Sequence, residues 1–314
     1  MAKSYYSELQ NVMLILKKTF KLLERNKKIF LFIVLATMIP FSLFLLANTF
    51  ILASLFKNLA LAAMSLFTMT PATPEYARQI FKIQEDTILV FLVEMIYLLM
   101  AAMVSLSSMV STIYVSGMSY IGKDLTLKEL WSKIKQIWVR PLITWFYMSL
   151  MITGVSLVIL LPCIFVAFAR GSIVMLAFGI IPIVLVSIVN IYLWLIWLVG
   201  VVSSVLEDCS GLEALGKAEK LVSKKKIVGF VLMIVLVVPF SAIYLLTMMS
   251  SGRRTGIVQF FMMDVAVNLG ILLNIVRIMT CTVFYFDCKH SHGEQVELEE
   301  EMGYTKVSTI PLNV

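Results

Sequence analysis

Residues 210–226, SGLEALGKAEKLVSKKK, form a polar, basic stretch between two long apolar runs. Ser210 precedes Glu213 at capping-box spacing, in which each side chain satisfies a backbone N–H at a helix start. Leu212, Leu215, Ala218 and Val222 recur at helical spacing, with Lys217, Lys220, Lys224, Lys225 and Lys226 over the remaining face and the C-terminal end. Lysines at that end suit the negative pole of the helix dipole. The stretch reads as an amphipathic helix, and what flanks it decides the fold. The runs on either side, 173–206 and 227–249, each exceed the roughly 20 residues that cross a bilayer as a helix.

Four more such runs occur, at 29–56, 87–121, 141–169 and 257–286. The 314 residues are 60% hydrophobic and 14% charged, with a mean hydropathy of +0.95. A soluble domain is about 45–50% apolar and about 25% charged, so lipid must be the solvent for most of this chain. The runs are continuously apolar rather than alternating, which predicts helices and not a barrel. Run 173–206 would reach about 51 Å as a helix, so it must protrude or bend at Pro182. Prolines 40, 162 and 239 give three other spans a kink point.

The N-terminal segment lacks a cleavable signal pattern, so the first span is expected to act as a signal anchor. Lys/Arg number 7, 5, 5 and 2 in the N-tail, 122–140, 207–226 and the C-tail. The alternate loops 57–86, 170–172 and 250–256 hold 3, 1 and 2. The positive-inside rule then predicts six spans with both termini cytosolic, in the plasma membrane or an endomembrane. The net charge of +7 belongs to membrane-facing segments, and no nucleic-acid partner is expected. Cys209 and Cys288 fall at cytosolic span ends, where they are candidates for palmitoylation. No disulfide framework is expected.

The plan of the opening stretch occurs twice more. Ser7 precedes Gln10, followed by Leu9, Met13, Leu16, Phe20 and Leu23, with Lys17, Lys18, Lys21, Arg25, Lys27 and Lys28 on the basic side. Thr126 precedes Glu129, followed by Leu127, Leu130, Ile134 and Ile137, with Lys128, Lys133, Lys135 and Arg140 on the polar side and Trp131 and Trp138 suited to the lipid interface. The chain therefore reads as an all-α membrane protein of six transmembrane helices in three units, each a cytosolic amphipathic helix plus a transmembrane hairpin. The units are 1–121, 122–206 and 207–286 of one polytopic domain, and 287–314 is an acidic, disordered cytosolic tail. Each basic helix either lies in the interface, leucines in the acyl boundary and lysines near anionic headgroups, or docks on the bundle's own cytosolic face.

The run VVSSVLEDCSGLEALGKAEKLVSKKK (201–226) and the end FYFDCKHSHGE (284–294) resemble a plant family of six-span membrane proteins of unknown function. The helix-plus-two-spans layout is more distantly similar to uncharacterised bacterial integral membrane families and to the membrane domain of some glycerophosphodiester phosphodiesterases. The resemblance implies six spans and brings no established active-site residue. The soluble phosphodiesterase domain contributes nothing to these 314 residues, so its activity does not transfer.

Glu94, Asp264 and Arg277 are the ionisable residues expected within spans, where such groups face a bundle interior or a wet cavity. Glu94 and Asp264 are each counted about 10 Å below the outer end of an inward-running span. They are a candidate proton or cation site, with Arg277 and Asn190 as further members. The competing reading leaves both carboxylates at the outer interface. Arg277 can snorkel inward or use Asn274, and Asn190 suits an interhelical hydrogen bond. Ala101, Ser105, Ser108, Thr112, Ser116 and Ser119 form a small-residue face for close helix packing. Asp287, Cys288, His290 and His292 lack the ligand spacing of a structural zinc site, so no metal and no cofactor is expected. Tyr304–Val307 matches a tyrosine-based sorting pattern, and Leu312–Val314 suits strand addition to a partner. The expected function is that of a non-enzymatic membrane organiser or scaffold, binding membrane lipids through the basic helices and protein partners through the tail. The alternative is a transporter or channel using the intramembrane carboxylates.

Overall fold

The computed structural model describes residues 2–70, 73–123, 125–167, 173–251 and 256–293. Arg170, Arg253 and Arg254, the tail from 294 and its two short patterns lie outside them. Among the described residues the chain is helical throughout: α1 (Ala2–Arg25), α2 (Lys27–Leu66), α3 (Pro74–Ile121), α4 (Leu127–Ile137), α5 (Val139–Ala167), α6 (Ile173–Leu206), α7 (Gly211–Val222), a 3₁₀ turn at Ser223–Lys225, α8 (Lys226–Ser251) and α9 (Gly256–Ser291). Six of them, α2, α3, α5, α6, α8 and α9, are long and apolar enough to cross a membrane. Consecutive long helices pack as pairs, α2 on α3, α5 on α6 and α8 on α9.

Helices α2, α5, α6 and α8 run through Pro40, Pro162, Pro182 and Pro239 without ending. The segment read as an outer loop, 57–86, is helical on both sides of a short turn. Helix α2 continues to Leu66, and α3 begins at Pro74 behind Thr73, whose Oγ1 accepts from the Tyr76 N–H at 3.2 Å. Gln79 ties the two limbs by donating to Ser65 Oγ at 2.7 Å and to the Ala62 carbonyl at 3.3 Å. The scattered charges at 57, 78 and 82 marked the end of the apolar run, but they do not oppose helix formation, so the helices outlast the apolar stretch.

Buried side chains concentrate at one end of the bundle. They come from the second half of α3, the second half of α6, the first third of α8 and the last third of α9, with Trp197, Phe284, Tyr285 and Phe286 almost fully enclosed. Tyr120 of α3 stacks on Phe286 of α9 with ring centroids 4.5 Å apart. Gly117 lets Leu206 approach closely, since a Cβ there would meet Leu206 Cδ2 at 2.7 Å. The small-residue face of α3 is buried from Ser108 through Thr112 and Ser116 to Ser119, whereas Ser105 is exposed. The hydroxyls of Thr112 and Ser116 donate to carbonyls one turn back, at 2.7 and 2.6 Å. The face stays small for packing, with the Ser119 hydroxyl buried without a partner. At the opposite end, large apolar side chains of α2, α3, α5 and α6 point outward, where a lipid solvent imposes no hydrophobic penalty.

The short helices begin differently from one another. Thr126 and Glu129 form the full capping box at the start of α4, with bonds of 3.3 and 2.9 Å. Helix α1 already runs from Ala2, so Ser7 sits inside it rather than at its start. At α7, Ser210 makes no side-chain cap bond. Gly211 takes a left-handed φ of +59°, and its N–H donates to Thr144 Oγ1 of α5 at 2.9 Å. A contact from another helix satisfies the first N–H of α7, which starts inside the protein.

Candidate functional site

The end of the bundle where the core lies is also where the polar groups gather. Glu207, just past α6, is the hub. Its Oε1 accepts from Tyr285 Oη at 2.5 Å and from Lys289 Nζ at 2.6 Å, both on α9. Its Oε2 accepts from Ser203 Oγ at 3.2 Å and lies 3.9 Å from Lys217 Nζ of α7. The Lys289 and Glu207 side chains are only 10% and 19% exposed, so each needs the other. Burial pushes the Glu207 carboxyl upward, but the bonds from Lys289 and Tyr285 and the charges of Lys289 and Lys217 outweigh it and hold the carboxyl below its ordinary value.

Around this hub, Arg140 of α5 pairs with Asp208. Lys225 pairs with Asp287 at 2.5 Å, and His292 Nε2 lies 3.2 Å from the Leu221 carbonyl. Lys224 Nζ reaches the Ser291 carbonyl at 3.4 Å. The two segments that carry the motif resemblance, 201–226 and 284–294, therefore meet in space and make most of these contacts with each other. Sequence reasoning passed over Glu207, Tyr285 and Lys289. Their only local signal was position: a carboxylate at the end of one apolar run, and a tyrosine and a lysine at the end of another.

The cysteines near this site are enclosed. Cys209 is 4% and Cys288 0% exposed. Cys209 Sγ lies 3.4 Å from Ser203 Oγ, and burial pushes its thiol up. Neither sulfur is exposed in this conformation.

The lysines assigned to the lipid surface divide by helix. Helix α7 is a core element, with Ala214, Ala218 and Val222 at 0% exposure, and only Leu212 of its apolar stripe faces out. Gly200 of α6 admits it, since a Cβ there would meet Leu215 Cδ2 at 2.8 Å. Lys217 is drawn to Glu207 and to Glu213 at 3.4 Å, while Lys220 is exposed. Lys224 and Lys225 engage α9 as above, and Lys226 stands 5.8 Å from the Tyr192 ring centroid.

Helices α1 and α4 are only half docked. On α1, Val12, Ile15, Thr19 and Leu22 are buried, whereas Leu9, Met13 and Phe20 on the adjoining arc are exposed, as are Lys17 and Lys21; Lys18 is half-buried. On α4, Leu130 is buried, while Leu127 and Trp131, with Trp138 at its end, are exposed. Lys135 lies 5.4 Å from the Trp131 ring centroid and Lys133 is half-buried. Arg25, at the end of α1, donates to the Gly122 carbonyl at 2.8 Å, securing α1 to the end of α3.

Of the intramembrane residues, Arg277 lies nearer the dense end of the bundle than Glu94 and Asp264 do. The Tyr120–Phe286 stack sets the register of α3 against α9. Counting back, Glu94 lies about 39 Å and Asp264 about 33 Å from that level. Among the described residues no hydrogen bond or ion pair joins them. Asp264 Oδ1 is buried without a partner. Asn268, one turn on, donates to Ser42 Oγ of α2 at 3.0 Å. It makes the kind of interhelical bond expected at Asn190, which is half-buried on α6. Arg277 donates to Asn274 Oδ1 at 2.5 Å, and its guanidinium lies 5.8 and 5.3 Å from the rings of Trp194 and Phe240. An aromatic clamp from α6 and α8 thus holds this cation.

The search of curated proteins and the search of solved structures each find no match. Residues 5–308, nearly the whole chain and both halves of the polar site, match the family model described as a domain of unknown function, DUF8558, and the chain belongs to that family.

Proposed function

We propose that the chain is a non-enzymatic membrane-organising or scaffold protein that acts through the bundle end carrying α1, α4 and α7, with both termini cytosolic and the spans arranged in three helix-plus-hairpin units. One observation carries the reading. Leu9, Met13 and Phe20 on α1, and Leu127, Trp131 and Trp138 on and beside α4, remain exposed next to arcs that are docked on the bundle. Lys17, Lys21 and Lys135 are exposed close by. A helix docked by one arc and offering an apolar, basic flank suits the boundary of a bilayer, where each lysine near an anionic leaflet contributes about 1 kcal/mol. Helix α7 has a different part in this reading, as the wedge that locks α5, α6 and α9 beneath that surface.

The test reconstitutes the full chain in liposomes of graded phosphatidylglycerol content. The quadruple variant Lys17→Gln, Lys21→Gln, Lys128→Gln, Lys135→Gln should keep its fold and lose its preference for anionic vesicles. An unchanged preference in that variant would falsify the organiser reading.

The orphaned Asp264 Oδ1 favours a second reading, in which the spans conduct protons or a solute through a wet cavity. Proton leak and phospholipid scrambling in the same liposomes decide it. Flux abolished by Glu94→Gln or Asp264→Asn makes transport the primary function.

A further inference from the structure

The junction of α7 and α8 borders a second feature. Ser223, Lys224, Lys225, Lys226, Ile227 and Val228 face Glu8 and Asn11 of α1 across a groove of about 440 Å³. Its basic wall is fastened from behind. Asp287 of α9 holds Lys225 at 2.5 Å, and Lys224 reaches the Ser291 carbonyl at 3.4 Å. Among the described residues Lys224 and Lys226 have no carboxylate partner. Lys224, Lys225 and Lys226 against Glu8 and Asp287 leave a small excess of positive charge, which suits a single phosphate better than a polyphosphate. The Asn11 amide adds a neutral donor from which a phosphate oxygen can accept, whereas the Ser223 hydroxyl already donates to the Lys220 carbonyl at 2.6 Å. Exposed Ile227 also lines the groove, where the apolar span α8 begins. The lining therefore combines positive charge, a neutral donor and an apolar helix surface.

From this combination of groups we propose that the groove binds the phosphodiester headgroup of one anionic phospholipid, with Lys224 and Lys226 on the phosphate and the start of α8 against the glycerol and upper acyl chains. The proposal rests on the reading that this end of the bundle lies at the headgroup layer, and it adds a stoichiometric site to that general surface attraction.

Native mass spectrometry of the full chain released from detergent micelles tests it, with phosphatidylglycerol, phosphatidylcholine and inorganic phosphate as probes. The expected result is one saturating phosphatidylglycerol adduct, absent with phosphatidylcholine and not displaced by inorganic phosphate at equal concentration. Lys224→Gln/Lys226→Gln should reduce that adduct at least tenfold. Asn11→Trp, which fills the groove from the α1 side without changing its charge, should do the same, and melting temperature checks the fold of both. Lys128→Gln/Lys135→Gln on α4 should leave the adduct intact while weakening vesicle preference. Displacement by inorganic phosphate would assign the groove to free phosphate and overturn the lipid. Adducts that are multiple, unsaturable and equal for both lipids mean an adventitious lipid only, which also overturns it. Loss of vesicle preference in the α4 variant with no wild-type adduct sinks the groove alone, whereas a surviving adduct without vesicle preference sinks the organiser reading alone.

Discussion

Glu207 shows how one carboxylate organises an end of this protein. It is mostly buried, yet it is held ionised because Tyr285 and Lys289 both donate to it and Lys217 stands nearby. Removing its charge strands Lys289 in the same enclosure. Glu207→Gln should therefore lower stability by about 2 kcal/mol, the range for a charge-assisted bond, read as a lower melting temperature in detergent. The pH dependence has a definite sign. A carboxyl whose folded-state pKa is depressed contributes stability that is fully present above its unfolded value of about 4.3. That contribution is lost as pH falls through the lower folded-state value. The gap between wild type and Glu207→Gln should be constant near neutrality and shrink below about pH 4. A gap that persists unchanged at pH 3 would remove the ion pair as its cause.

At the scale of elements, three similar sequence patterns have three different outcomes. Ser-x-x-Glu/Gln or Thr-x-x-Glu spacing occurs ahead of each basic stretch, but Thr126 and Glu129 close a box, Ser210 makes no cap bond and Ser7 falls inside α1. That spacing is a local pattern, and whether it is used depends on what else reaches the first turn. Helix α4 starts in an exposed connection, where the cap has no rival. Helix α7 starts against α5, where Thr144 already takes the Gly211 N–H. Thr126→Ala should accordingly cost about 1 kcal/mol, whereas Ser210→Ala should be nearly neutral in the same melting experiment. Equal losses at the two sites would mean that Ser210 caps α7 after all. The amphipathic stripes divide in the same way. The α7 stripe is consumed by packing, while α1 and α4 use only part of theirs, which leaves Leu9, Met13, Phe20, Leu127 and Trp131 uncovered.

For the whole molecule, packing is uneven. One end is dense and polar-locked, and the other exposes apolar helix surfaces. Thiol accessibility reads this directly. Cys163 is exposed on α5, while Cys209, Cys281 and Cys288 are buried. A membrane-permeant maleimide should leave Cys209, Cys281 and Cys288 of the folded chain unlabelled within minutes and label all four cysteines after denaturation. Rapid labelling of Cys209 or Cys288 would show that the dense end opens. The six long helices were legible in advance, because a continuous apolar run of sufficient length must satisfy its own backbone in lipid and can do so only as a helix. Their limits were less so. The outward limbs of α2 and α3 carry charges that end an apolar run without ending a helix. The candidate site was barely legible, since Tyr285 and Lys289 reach Glu207 across 78 and 82 residues of chain. Composition and hydrophobic periodicity alone determined an all-helical, multi-pass architecture, because burial in lipid is a local property of each segment. Only the tertiary structure decided which basic helix is core and which is surface, and which charges find partners, because those outcomes depend on what distant segments place across the interface.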